Sequence, residues 1–330
     1  MDCITSRYLF ALTNAGSEKA LKLEAESMKT GWRPGYQRRG FVTFKAESDD
    51  RPFSLSGLNA TAPACARRLC LSLGKTSALD AAIQLLGNPS VIHHTRLTGG
   101  RLERVSARGE PHDGEIAGTI VELSPDEFWT GVHLHGPFVS PDPGGYSILT
   151  LPENAPSRAW LKLEEAVRFF GLRFTSRDVA VELGCAPGGV ILALLNRGVS
   201  AIGVDPAKLA PVVMAAAAPS VQDAPRDRPW VFHCRKPAAL VSKRDLGTNV
   251  TWFMSDMNQS PSVALSECAR FIKMCPAIRS ALITLKLTDL SQVVEKENWF
   301  QALRNMGFHT TYLQQFSVHN RELALLAQGR

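Results

Sequence analysis

Long apolar runs are missing from this chain of 330 residues. None approaches the roughly 18 residues that a membrane-crossing helix needs, so a membrane-spanning role is not expected. The opening MDCITSRYLFALTNAG carries an acid at once and only a short apolar stretch, and it reads as a first strand rather than a signal peptide. Cysteine is sparse and unpatterned. The seven residues Cys3, Cys65, Cys70, Cys185, Cys234, Cys268 and Cys275 include no C-x-x-C pair, which argues against a zinc knuckle. An odd number without a disulfide framework fits a reducing, cytoplasmic setting. His93-His94 and His133-x-His135 lack an accompanying carboxylate or cysteine constellation, so no metal is expected there. Repeats are absent, and the only biased tract is Ala215–Pro219. Charge is unevenly placed but never runs in blocks. Residues 1–150 hold 16 basic and 16 acidic side chains, whereas residues 151–330 hold 21 and 15 and carry the whole net charge of +6. That excess suits an RNA partner, and it suits plain solubility as well.

The dinucleotide fingerprint G-x-G-x-x-G is also lacking where it would be sought. The stretch Asp178–Pro206, DVAVELGCAPGGVILALLNRGVSAIGVDP, reads as strand, glycine-rich turn, helix and strand. Gly198 stops the helix as a C-terminal cap, and Asp205 ends the second strand. This is half of a nucleotide-binding α/β unit, with its site outside the carboxyl ends of the strands. Gly184, Gly188 and Gly189 are spaced unlike a pyrophosphate loop, Pro187 sits inside the turn, and nothing basic stands near to neutralise phosphate. The ligand is read as a nucleoside without phosphates. S-adenosylmethionine fits, with Asp205 accepting from two ribose hydroxyls. Cys185 has no base partner in view and reads as a small packing residue.

E-L-G-C-A-P-G-G (Glu182–Gly189) resembles the cofactor loop of the FtsJ-like ribosomal RNA 2′-O-methyltransferases, and A-P-S-R-A-W-L-K-L-E-E-A (Ala155–Ala166) resembles the same family. The RlmM-type enzymes, which methylate a cytidine ribose of large-subunit ribosomal RNA, are the nearest match, over residues of about 150 to 330. The resemblance implies an α/β chain: a Rossmann-like seven-stranded methyltransferase domain over 149–330, mostly parallel, preceded by a smaller α+β domain over 1–148. Pro137–Tyr146 is the natural linker. Strands at Arg7–Thr13 and Gly40–Lys45 flank a helix at Ser17–Lys29, with a turn at Gly31–Gly35; this start resembles the ferredoxin-like domain that opens RlmM-type enzymes. The remainder, with a helix at Ser77–Leu86 and strands at Leu102–Val105, Ile116–Leu123 and Thr130–Leu134, is short for a complete THUMP domain and reads as a reduced one. Arg33, Arg38, Arg39 and Lys45, interleaved with Trp32, Tyr36, Phe41 and Phe44, fit an RNA-stacking surface and equally a solvated hairpin over core aromatics.

Four residues arrive in order in the settings S-R-A-W-L-K-L, S-D-M, L-K-L and N-R-E-L: Lys162, Asp256, Lys286 and Glu322. They resemble the family's K-D-K-E tetrad. Transfer to a ribose 2′-hydroxyl requires in-line alignment and a proton acceptor, not a metal. Lys286, crowded by Lys162 and partly buried, is the candidate acceptor through a lowered pKa, with Asp256 and Glu322 orienting the lysines. Asp256 also stands as a contact to the methionine end of the cofactor. The resemblance further implies cofactor contacts from Ser157, Gly184, Cys185, Ala186, Pro187, Gly188, Gly189 and Asp205. Arg158, Arg168, Arg173 and Lys273 are candidate phosphate contacts. The acid expected just beyond the third strand of the domain is absent at His233–Pro237, leaving backbone or Asp223 for the adenine. The expectation is a cytoplasmic, monomeric, metal-independent RNA 2′-O-ribose methyltransferase acting on ribosomal RNA. Rivals are the same chemistry on transfer or other RNA, and a non-catalytic RNA-binding assembly factor.

Overall fold

The computed structural model describes residues 4–58, 62–247 and 249–330; Cys3 lies outside them. The chain divides into two compact units. One holds the chain up to Ile148 with Phe169–Gly171 and Gln314–Ser317, and the other holds Leu149–Arg168, Leu172–Leu313 and Val318–Arg330.

The first unit is α+β. Its strands are β1 (Thr5–Ser6), β2 (Tyr8–Leu12), β3 (Trp32–Arg38), β4 (Phe41–Ala46), β5 (Phe53–Ser54), β6 (Arg68–Thr76), β7 (Val91–Thr98), β8 (Arg101–Arg108), β9 (Ile116–Ser124) and β10 (Glu127–Leu134), with helices α1 (Glu18–Ser27), α2 (Leu55–Leu58) and α3 (Leu79–Leu86). Eight strands form one sheet in the order β3-β4-β2-β6-β10-β9-β7-β8. Its neighbours are antiparallel except β7 with β9. The order β3-β4-β2-β6 is that of a ferredoxin-like arrangement. Phe10, Leu12, Phe41, Cys70, Leu97, Leu102, Val121 and Leu123 build a buried cluster on one face, as alternation along these strands requires.

Several expectations change here. The chain turns earlier, at Met28–Lys29 with Lys29 at φ 51, Gly31 takes φ +70, and the strand β3 then begins at Trp32. Pro34 is tolerated because β3 is an edge strand whose register shifts between Pro34 and Gln37. The strand β7 is a further element: its Val, Ile and Thr content favours a strand, while its polar positions break the alternation that would announce it. Trp32, Phe41 and Phe44 are buried, so they belong to the core and offer no face to a base. Tyr36 is half-exposed but stacks on Trp129 at 5.8 Å, while Arg38 pairs with Glu127 at 2.7 Å. The four histidines of β7 and the β10 end are buried, with His93–His133 and His133–His135 ring centroids 6.5 and 6.3 Å apart. Burial and the guanidinium of the fully buried Arg68 hold His93 at about 3, so these rings are neutral. Among the described residues no group of three or more His, Cys, Asp or Glu is placed to hold a metal ion.

The second unit is a doubly wound α/β layer. Its strands are β11 (Val179–Leu183), β12 (Ser200–Val204), β13 (Val231–Cys234), β14 (Trp252–Ser255), β15 (Ser280–Lys286), β16 (Thr310–Gln314) and β17 (Glu322–Gln328). Its helices are α4 (Ala159–Phe170), α5 (Gly189–Asn196), α6 (Pro211–Met214), α7 (Lys243–Leu246), α8 (Pro261–Met274) and α9 (Lys296–Asn305). The sheet order is β13-β12-β11-β14-β15-β17-β16. The first five strands of that order are parallel, and β17 lies antiparallel to β15. β11, β12 and β14 are buried along almost their whole length, the mark of parallel strands covered on both faces. The order reverses at β11, so a crevice opens beyond its carboxyl end, where Gly184 begins the loop into α5. Among the described residues no helix is long and apolar enough to cross a membrane.

Asp178 ties the amino end of β11 to its neighbours. Only 1% exposed, it accepts from Thr251 Oγ1 at 2.8 Å, from the backbone N–H and hydroxyl of Thr175 at 2.8 and 2.9 Å, and from Arg279. Burial alone would raise its pKa, but these donors outweigh burial and hold it below the usual aspartate range. Its contribution is therefore complete above the unfolded aspartate value near 4 and is lost as pH falls through the depressed folded value. Asp178→Ala should lower the unfolding free energy by about 1–2 kcal/mol at pH 7, because it removes the buried acceptor shared by Thr251, Thr175 and the half-exposed Arg279. Urea melts of wild type and variant should converge as the pH drops below about 4.

Candidate active site

The four charged residues singled out from sequence come from four separate elements and meet at one point. Lys162 lies in the first turns of α4, Asp256 just past β14, Lys286 at the end of β15 and Glu322 at the start of β17. Lys286 and Glu322 are directly paired in the β15–β17 register. Lys162 Nζ donates to both carboxylate oxygens of Asp256 at 3.0 Å and lies 2.9 Å from Glu322 Oε2. Lys286 Nζ lies 2.8 Å from Asp256 Oδ1 and 2.5 Å from Glu322 Oε1. Each ammonium thus bridges both carboxylates, and all four side chains are 15–20% exposed.

This geometry reverses the pKa direction expected for Lys286. Burial does push it down, but Asp256 and Glu322 outweigh burial, and the pKa rises above the lysine value. Glu322 moves the opposite way: burial would raise it, yet bonds from Lys286 and Lys162 bring it below the usual glutamate range. The resting square is two ammonium groups and two carboxylates.

The glycine loop abuts the square. The amide of Asp256 donates to the carbonyl of Leu183 at 3.0 Å. Gly184 has φ +75, and a Cβ there would lie 3.0 Å from the Met257 backbone. A Cβ on Gly189 would lie 2.4 Å from Ser157 Oγ and 2.8 Å from the Trp160 amide, so glycine lets the α4 start, which carries Lys162, close onto the loop. Gly188, at φ +109, would collide with Val213. These glycines are therefore required by contacts inside the protein. Asp205 secures the other side, accepting from the Ala186 amide at 3.1 Å and the Ala207 amide at 2.8 Å. Cys185 is buried and its thiol is pushed up by burial, which suits packing rather than nucleophilic attack.

Two buried groups beside the square were not singled out from sequence. Glu182, 2% exposed on β11, has no partner for Oε2 among the described residues. Burial first, then Asp256 and Asp205, raise it well above the glutamate value. An acid inside the apolar run DVAVEL was the available signal. His319 lines the same small cavity with Lys162, Glu182 and Asp256, and burial followed by Lys162 lowers it to about 3. Elsewhere, Arg158, Arg168, Arg173 and Lys273 are exposed. Asp223 is engaged with Ser220 at 2.7 Å on the loop bordering the amino ends of the strands, away from Asp205. It is therefore not placed to contact an adenine at the carboxyl ends.

Residues 155–302 match the family model described as FtsJ-like methyltransferase. Among curated proteins, "Ribosomal RNA large subunit methyltransferase M" of Halorhodospira halophila is 31% identical over 183 residues, 54% of this chain and 49% of that one. The protein of the same name from Aeromonas salmonicida is 30% identical over 168 residues, 49% of this chain and 42% of that one. The chain spans about half the length of the curated relatives it matches. Among solved structures, Aeropyrum pernix fibrillarin in complex with S-adenosyl-L-methionine is 18% identical, covers 73% of this chain and 98% of that one, and overlays with a TM-score of 0.35. The matched segment contains Lys162, the glycine loop, Asp256 and Lys286.

Because burial raises the Glu182 pKa well above the ordinary glutamate value, folding loses stability as pH climbs from that value toward the raised folded one. Glu182→Gln removes that loss. Its urea midpoint at pH 8 should match or exceed wild type; a clear drop would show that Glu182 is ionised and paired.

Proposed function

We propose that this chain is an S-adenosylmethionine-dependent RNA 2′-O-ribose methyltransferase acting on large-subunit ribosomal RNA in the cytoplasm. The observation that carries the reading is the charge square of Lys162, Asp256, Lys286 and Glu322, closed directly against the glycine loop. The FtsJ-like segment and the names of the curated relatives support the reaction and the RNA class.

The residues at the crevice fit the cofactor. Glu182, Asp205 and Asp256 place three acids around the Gly184 loop, one with an orphaned buried oxygen, and the nearby lysines are already engaged by carboxylates. That donor set rejects phosphate and suits a nucleoside bearing positive charge. Glu182 and Asp256 would face its cationic methionine end, Asp205 its ribose, with Ser157 and Cys185 to Gly189 forming the wall. When bound, the cofactor supplies an electrophilic methyl group on a sulfonium.

The chain's own residues align the hydroxyl and take its proton. Lys286 Nζ is the acceptor, and at rest it is an ammonium held by two carboxylates, so it must first lose a proton. Any further positive charge brought beside it favours that loss, as burial already does. Asp256 and Glu322 hold both lysines in place throughout, and Lys162 keeps the carboxylates from closing over Lys286 alone. Because the acceptor's pKa is raised, the fraction competent to accept grows with pH through neutrality.

Lys286→Ala should lower methyl transfer from labelled cofactor to unmodified ribosomal RNA by at least about a thousandfold, with cofactor affinity retained. The wild-type rate should keep climbing between pH 6 and 9. Near-normal turnover by the variant, or a flat profile, would remove Lys286 as the acceptor.

A further inference from the structure

The opposite end of the same sheet carries a second recess. It holds about 660 Å³ and is bounded by the amino-terminal residues Val179, Ser200 and Val250 beside β11, β12 and β14. The strand β11 spans five residues, so this recess lies roughly 15 Å or more from the glycine loop. Arg177, Arg226 and Arg228 line it, with Gln222 and Asn249 adding polar groups. All three arginines are exposed, and among the described residues none has an ion-pair partner.

Both segments that present these cations are fastened to the sheet. Arg177 sits in the turn that Asp178 closes through Thr175. Arg226 and Arg228 ride on the loop between Ala217 and Val231, whose ends form a β-bridge and whose interior is held by the Ser220–Asp223 contact. Asp227 is the one acid in the lining, so three guanidinium groups against one carboxylate leave the recess with an excess of positive charge that folding alone does not favour. The charge excess of the whole chain also resides in residues 151–330. The one aromatic in the lining, Trp230, is 8% exposed and offers no face for stacking a base. Cations without a stacking platform recognise phosphate rather than nucleobase.

We propose that this recess binds the phosphodiester backbone of an RNA strand, as an anchor remote from the site of methyl transfer. The inference rests on the RNA-methylating reading and adds to it a second point of contact that a long, folded RNA reaches and a short oligonucleotide does not.

The test compares wild type with the triple variant Arg177→Gln, Arg226→Gln, Arg228→Gln by anisotropy of a labelled transcript of large-subunit ribosomal RNA across a salt series. Affinity for the long transcript should fall roughly tenfold at physiological salt, and the slope of log K against log salt should shrink by about two, given about 0.7 per phosphate contact. Cofactor binding and transfer to a short oligonucleotide should match wild type. Should the triple variant unfold, Arg177→Gln and Arg228→Gln alone should each remove about 0.7 from the slope. An unchanged slope overturns the proposal, as does tight binding of ADP to wild type that the arginine changes abolish, which would mark a free-nucleotide pocket. A wild type that binds RNA through these arginines yet transfers no methyl group would instead refute the methyltransferase reading and leave this one standing.

Discussion

Two ammonium groups sharing two carboxylates within 3.0 Å are the constraint around which the second unit is arranged. Such a square is tolerable in a half-buried place only while all four members are present. Removing one leaves a net charge in a poorly hydrated position, a far larger cost than an exposed ion pair is worth. The sheet satisfies this by supplying the members from fixed points: two strand ends, one strand start and a helix that a glycine allows to close in.

The same arrangement explains why an acid-rich crevice can sit beside two lysines. The lysines are neutralised by Asp256 and Glu322, so the negative field reaching the glycine loop comes chiefly from Asp205. The raised pKa of Glu182 favours its neutral form, which lowers the repulsion among the acids. It also leaves a group whose proton can be displaced when positive charge enters.

Much of this was legible in the sequence because the motifs are short and local. The glycine loop, the acid ending the next strand and the four charged motifs each declare themselves within a few residues. The short apolar run of Tyr8–Leu12 and the apolar positions of Phe41–Ala46 likewise announce strands. What was not legible depends on distance or neighbours. The raised pKa of Lys286 follows from two carboxylates whose separation no spacing encodes. Glu182 hid inside an apolar strand, and Trp32, Phe41 and Phe44 fit a stacking surface and core aromatics equally well until the fold places them inside. The strand β3 was obscured by Pro34 and Gly35, residues that punctuate chains in general but are tolerated on a sheet edge.

The pairing of Lys286 with Glu322 across antiparallel strands has a consequence for how the site comes into being. β17 inserts between β15 and β16, so its partner strands on both sides are synthesised before it. A ribosome that has released the chain through β16 has made both lysines and Asp256, yet one corner is vacant and two cations face a single acid. Assembly of the reactive geometry therefore coincides with the last zippering step of this sheet. Because side chains alternate faces along a strand, a slip by one residue there would turn the closing glutamate to the wrong side.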